Sequence, residues 1–258
     1  MRALGRIAKL ATTLSVVATI ALWAPASTLA TIQSPPMADL NCSFFDGSAG
    51  LGAMDTTPAC RNGQAQLNAA GYNAYANTGG PSASTVMGPG WAQSDAIWAI
   101  FGHANAGFIT TYNSYTGRTD LAVAPGVSGN CAGYNACLSS YTSAQLHSIK
   151  LMIFAGCETA LPGGGLGNNG ILPRVAVFSK GVDAAVGWSG VITWPLMNRW
   201  TQAFFQYTGQ DGKSATFFNA AVWAENQTYA MYNDYGGSNN SVWYGNANLS
   251  VRPAGYGS

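Results

Sequence analysis

Two kinds of hydrophobic pattern alternate along this chain. Short, nearly continuous apolar runs occur at "AIWAIFG" (96–102), "KLMIFAG" (150–156) and "VDAAVGW" (182–188). Runs of this length without a polar alternate are expected of strands buried on both faces, as in a parallel sheet. Between and after them, apolar residues recur at helical spacing in "ACRNGQAQLNAAG" (59–71), "ILPRVAVFSKG" (171–181), "PLMNRWTQAFFQYTG" (195–209) and "SATFFNAAVWAENQ" (214–227). Pro173 is then placed in the first turn of its helix, where its missing N–H costs nothing. The minor elements follow the same logic. "DLNCSFF" (39–45) alternates as a first strand, "YNAYAN" (72–77) as a short one, and "ANLSVRP" (247–253) as a final one. "SASTVM" (82–87) and "TSAQLHSI" (142–149) read as short helices, and 105–141 as loops with a hairpin. Strands alternating with helices predict one α/β domain with a mostly parallel central sheet.

The first thirty residues stand apart. Arg2, Arg6 and Lys9 precede an apolar stretch from Leu10 to Ala24, and small residues follow to Ala30. This is the pattern of a secretory signal peptide cleaved after Ala30, with Ala26 as a second candidate site. The stretch is shorter than the roughly 20 residues a membrane span needs, although an uncleaved anchor has the same outline. Residues 31–258 suit one domain, and no later segment is apolar for long enough to cross a bilayer. Removing the leader takes three of the 11 basic residues and none of the 10 acidic ones, leaving a slightly negative chain. Nothing in that balance points to nucleic acid or an acidic membrane. Only 8% of residues are charged, so the surface is solvated by Asn, Ser, Thr and Tyr, as suits an extracellular, secreted protein.

Five cysteines in an exported chain imply two bridges and one remainder. Of the three pairings open to four cysteines, the local one joins Cys42 to Cys60 and Cys131 to Cys137, closing two loops without crossing the core. Cys157 is then the free thiol. It is either a small core residue or a reactive group.

Its position favours chemistry. Functional groups of an open parallel sheet collect beyond the carboxyl ends of its strands. "AIWAIFGH" delivers His103 there and "KLMIFAGC" delivers Cys157, each after a glycine. If the two strands are neighbours, an imidazole stands beside a thiol it can deprotonate, and the same imidazole can later protonate a leaving amine. Glu158 would oppose the thiolate if it faced the sulfur, so it is expected to point away. His147, on the helix before the cysteine strand, is expected to be structural.

Strand–Gly-His followed about fifty residues later by strand–Gly-Cys resembles the caspase-like cysteine peptidases of clan CD. "LMIFAGCETALPGG" is similar to the cysteine motif of bacterial CHAT domains, and "GNNGILPRVAVFSKGVDAAVGW" to the helix and strand after it. The resemblance runs over roughly 59–253 and is most specific over 150–195. It implies a caspase-like three-layer α/β sandwich, with Cys157 as nucleophile and His103 as its partner. It also implies an oxyanion hole from the backbone N–H groups of Cys157 and Ala104, where the family usually has glycine after the histidine. Asn105 and Gly107 in "GHANAG" are expected to shape the turn there. The substrate would be a protein or peptide, the chain is expected to act as a monomer, and no cofactor or metal is implied. Candidate groups for the substrate pocket are Glu158, Asp120, Trp188 and Trp194, the tryptophans having packing under the C-terminal helices as the other explanation. Asp183 is a weaker candidate, since it is expected at the opposite end of the sheet. Two other readings remain: a catalytically silent module of the same fold that binds protein or cell-surface polymer, and a polysaccharide-binding β-protein suggested by the Tyr-, Asn- and Gly-rich tail from Tyr229 to Ser258.

Overall fold

A computed structural model describes residues 35–47, 52–78, 87, 92–93, 95–113, 118–124, 136–161, 171–210, 215–232 and 241–251. The expected leader, the expected helix over 82–87 apart from Met87, and Cys131 therefore lie outside the described residues.

The central sheet is built from β4 (Asn73–Asn77), β1 (Met37–Asn41), β5 (Asp95–Phe101), β10 (Leu151–Ala155), β11 (Ala184–Trp188) and β12 (Ser241–Gly245), in that order across the sheet. The first five are mutually parallel and β12 closes the edge antiparallel to β11. Both faces are buried, which explains the continuous apolar runs. On β5, Ile97, Ala99 and Phe101 face one layer while Trp98 and Ile100 face the other. On β10, Leu151, Ile153 and Ala155 part from Met152 and Phe154 in the same way.

The first layer is packed by α1 (Thr57–Ala69), α4 (Trp194–Gln210) and α5 (Phe217–Tyr232). The second is packed by α2 (Ser143–Leu146) and α3 (Leu172–Lys180). Pro173 does lie in the first turn of α3, and Gly181 ends that helix in the left-handed region at φ 76°. The result is an α/β sandwich of three layers with a mostly parallel sheet.

A second, smaller sheet sits beyond the carboxyl ends of the central strands. It contains β3 (Met54–Asp55), β2 (Phe44–Phe45), β7 (Phe108–Asn113), β8 (Arg118–Ala124) and β9 (Ala136–Cys137), with β6 (His103–Asn105) hairpinned onto β7. The segment 105–141 is thus richer in strand than its polar, glycine-rich sequence suggests.

Two boundaries differ from expectation. The first strand divides after Asn41, because buried Ser43 turns the chain out of the central sheet. Its hydroxyl donates to the Phe101 carbonyl at 2.6 Å and its N–H to the Thr56 hydroxyl at 2.7 Å. The last strand is "SVWYG" rather than "ANLSVRP". Val242, Trp243 and Tyr244 pair along β11, whereas the later segment, among its described residues, forms an isolated bridge from Ser250 to Thr216.

Candidate active site

β5 and β10 are adjacent and parallel, with Phe101 opposite Ala155. Their continuations leave the same edge of the sheet in step: Gly102 beside Gly156, then His103 and Cys157. The glycines serve a closer purpose than an open approach. A Cβ on Gly156 would lie 2.6 Å from the Ala104 Cβ and 2.8 Å from the Gly102 carbonyl oxygen. One on Gly102 would land on the Thr110 carbonyl. The two exits cross in contact, and only glycine permits it.

His103 opens β6 and is half-buried. Its Nε2 lies 2.9 Å from the Gly52 carbonyl oxygen. A carbonyl can only accept, so Nε2 carries a hydrogen, and in the neutral ring Nδ1 is the nitrogen with the lone pair. The ring of Phe45 stands edge-on to the imidazole, centroid to centroid 4.4 Å at 81°. Ala104 follows with a negative φ, since Glu158 alone among the described non-glycine residues has a positive one. Alanine therefore fits there without strain and keeps its N–H. Gly107, at φ 114°, makes the turn into β7.

Cys157 is free and half-buried, packed against the first core layer. Its thiol donates to the Ile192 carbonyl at 3.3 Å rather than to the imidazole. Glu158 takes a left-handed φ of 57°, a conformation uncommon outside glycine and concentrated at functional turns. Its N–H is spent on the Gly190 carbonyl at 2.9 Å. Behind the turn, the buried Thr159 hydroxyl donates toward the Phe154 carbonyl at 2.8 Å and accepts from the Trp188 N–H at 3.0 Å, tying the ends of β10 and β11.

The other expected site residues separate. Trp188 is 0% exposed and packs edge-to-face on Trp200 at 4.9 Å, so it belongs to the core under α4 and forms no pocket wall. Trp194 is half-buried in the first turn of α4, against the same core. Asp183 pairs with Lys150 at 3.0 Å, at the amino ends of β11 and β10, the far end of the sheet. Asp120 lies on β8, and its side chain is outside the described residues. His147 is exposed at the end of α2, on the second layer. Cys42 and Cys60 are bonded, Cα to Cα 6.3 Å, and Cys137 is also disulfide-bonded. Gly52, Phe45 and Thr159 also bear on the site. Thr159 lies inside the cysteine motif, but nothing local marks Gly52 or Phe45, whose relation to His103 is made by the fold.

Among solved structures, the chain is similar to the Arg-specific cysteine proteinase gingipain R (RgpB), with a TM-score of 0.58 and 12% identity over 84% of this chain and 47% of that one. A complex of the Porphyromonas gingivalis RgpB pro- and mature domains gives 0.54 and 12%, over 85% and 49%. Caspase-1 from Spodoptera frugiperda gives 0.52 and 10%, over 85% and 92%. The chain spans about half the length of the gingipain chains. No protein-family model and no curated sequence matches it. The fold is caspase-like, shared with these gingipain and caspase structures.

Proposed function

We propose that the chain is a secreted cysteine endopeptidase, with residues 1–30 as its export signal, Cys157 as nucleophile and His103 as general base. The observation that carries this reading is the parallel register of β5 and β10, which sends both residues out at one sheet edge. The Nε2–H tautomer supports it, because the free Nδ1 lone pair is what a thiol proton needs. The similarity of residues 150–195 to the CHAT cysteine motif supports it independently.

In the reaction, the thiol leaves the Ile192 carbonyl by rotation of its side chain and passes its proton to Nδ1. The thiolate attacks the scissile carbonyl carbon, and the oxyanion is held by the N–H groups of Cys157 and Ala104. His103 then protonates the departing amine, leaving an acyl-thioester on Cys157. Water, deprotonated by the same imidazole, releases the acid and restores the thiol. Glu158, next to the nucleophile in sequence, and Trp194, in the first turn of α4, remain the candidates for contacts to the substrate.

The test is labelling of the mature protein with an electrophilic peptidyl probe, beside cleavage of a mixed peptide library. Wild type is expected to label and cut, Cys157→Ala to do neither, and His103→Ala to lose at least about a hundredfold in rate. Cleavage that persists in Cys157→Ala would overturn the assignment.

A second reading, a silent module that binds a neutral cell-surface polysaccharide, is favoured by one feature. Asn219, Val222, Trp223, Asn226 and Tyr229 form an exposed, uncharged stripe on α5, with Trp223 44% and Val222 46% exposed. With Tyr207 of α4, ring centroids 5.9 Å from Trp223, four of them line an open trough of about 240 Å³. Aromatic faces beside free amides suit sugar rings. Retention on insoluble glycan by wild type, lost in Trp223→Ala, together with absent labelling at Cys157, would favour this reading.

A further inference from the structure

The loop that holds His103 is closed at both ends. It leaves β1 at Cys42, whose N–H donates to the Asn77 carbonyl at 3.0 Å, and enters the first turn of α1 at Cys60. The disulfide between them joins these two buried points across 18 residues of sequence. Just inside the bridge is a second closure. The Ser43 N–H donates to the Thr56 hydroxyl at 2.7 Å, and the Thr56 N–H returns to the Ser43 carbonyl at 3.0 Å. Ser43 is in turn fixed to the end of β5 through the Phe101 carbonyl, two residues before the histidine. Phe44 and Phe45 pair with Asp55 and Met54 inside the clasp. Two groups at the imidazole, the Phe45 ring and the Gly52 carbonyl, both belong to this loop.

We propose that the Cys42–Cys60 disulfide and the Ser43–Thr56 clasp form a positioning device for His103, and that activity depends on the bridge because it holds Gly52 and Phe45 against the ring. This rests on the peptidase reading for its link to turnover, but not for its link to the histidine. The reasoning is geometric. A single backbone carbonyl selects the tautomer, and a carbonyl on a loop is only as well placed as the loop's ends. Both ends are pinned to the sheet that also delivers the cysteine, so base and nucleophile share one frame. Cys42 and Cys60 are buried in the first layer and would act through the loop they close, as positioning residues.

The test uses the full mature chain and two readouts. The protein has two histidines, so long-range proton–nitrogen NMR with His147→Gln as the assignment control reads the His103 tautomer directly. Wild type is expected to show the Nε2–H form. The Cys42→Ser/Cys60→Ser double variant, which leaves no new thiol, is expected to show mixed tautomers and a kcat roughly 10–100-fold lower, with KM within about twofold. Should that variant fail to give a folded circular dichroism spectrum, Thr56→Val removes the acceptor of the Ser43 N–H, one of the clasp's two bonds, with the bridge intact, and is expected to mix the tautomers in the same direction. Wild type in the Nδ1–H form, or a folded bridge-less variant that keeps both the Nε2–H tautomer and wild-type kcat, would overturn the proposal. A tautomer that mixes on loss of the bridge in a protein that cuts nothing would uphold the device and sink the peptidase.

Discussion

At Gly156, the residue before the candidate nucleophile, the added methyl of alanine would press on the Ala104 Cβ and the Gly102 carbonyl at 2.6 and 2.8 Å. Neither is the far end of a flexible side chain, so the exits of β5 and β10 must spread. Gly156→Ala is expected to cost about 1–3 kcal/mol by overpacking, read as a fall in urea midpoint. It should slow probe labelling of Cys157 further than the stability loss explains, because Ala104 moves with the clash. Shrinking the opposing side chain, in Gly156→Ala/Ala104→Gly, should restore part of the labelling rate. Thr159 tests the same region from behind. Thr159→Val removes the hydroxyl that the Trp188 N–H and Phe154 carbonyl share, leaving a buried N–H without its partner. The expected loss is about 1–3 kcal/mol, and the amide of Trp188 should lose protection from hydrogen exchange.

Among the elements, β12 closes the sheet edge antiparallel to β11 and is held at its start by Glu225 of α5. That carboxylate accepts from the Ser241 N–H at 3.2 Å, the Ser241 hydroxyl at 2.8 Å and the Trp200 indole N–H at 3.1 Å. Burial pushes Glu225 above the usual carboxylate range, and the three donors pull against it. Glu225→Ala strands the indole and the strand's first N–H together. It is expected to destabilise by about 1–3 kcal/mol, with hydrogen exchange rising selectively at Val242 to Tyr244. Uniform loosening of the whole sheet would show instead that Glu225 supports the aromatic stack of Trp188, Trp200 and Phe204 rather than the edge.

For the whole molecule, the decisive electrostatic feature is a pair of carboxyl groups in the interior. Asp39 on β1 and Asp95 at the start of β5 are both 0% exposed, and among the described residues no N–H or O–H of another residue reaches them. The hydrogen bond open to them is a proton held between the two. Burial raises Asp39 to about 7, and burial with the neighbouring Asp39 charge raises Asp95 to about 9. Both values lie above the unfolded carboxyl value near 4, so the folded state binds the protons more tightly. Their contribution to stability is fully present in acid and is lost as pH rises from about 4 to about 9. Thermal unfolding should therefore move to lower temperature across that window. Asp95→Asn keeps a donor toward Asp39 and removes the upper titration. Its stability relative to wild type should rise by roughly 1–2 kcal/mol between pH 7 and 9. An unchanged difference across those pH values would show that the pair does not share a proton.

Much of this protein is determined by local pattern. Buried strands announce themselves because both faces are apolar, so β5, β10 and β11 are legible as runs. The helices of the first layer are legible from their spacing, and the free thiol from an odd cysteine count. The pairing of a strand–Gly-His with a strand–Gly-Cys is legible too, because both strands must end at one edge if they are parallel neighbours. Tertiary structure alone decided the rest. Trp188 closes β11, where the sequence leaves both a pocket wall and packing under the C-terminal helices open, and α4 decides it by bringing Trp200 against it. "ANLSVRP" alternates as a strand should, but "SVWYG" takes the edge because it lies along β11 with Glu225 to receive its first N–H. The carbonyl that sets the tautomer of His103 comes from Gly52, fifty-one residues upstream. A backbone carbonyl leaves no trace in residue type, so which one faces an imidazole is written only in the path of the chain.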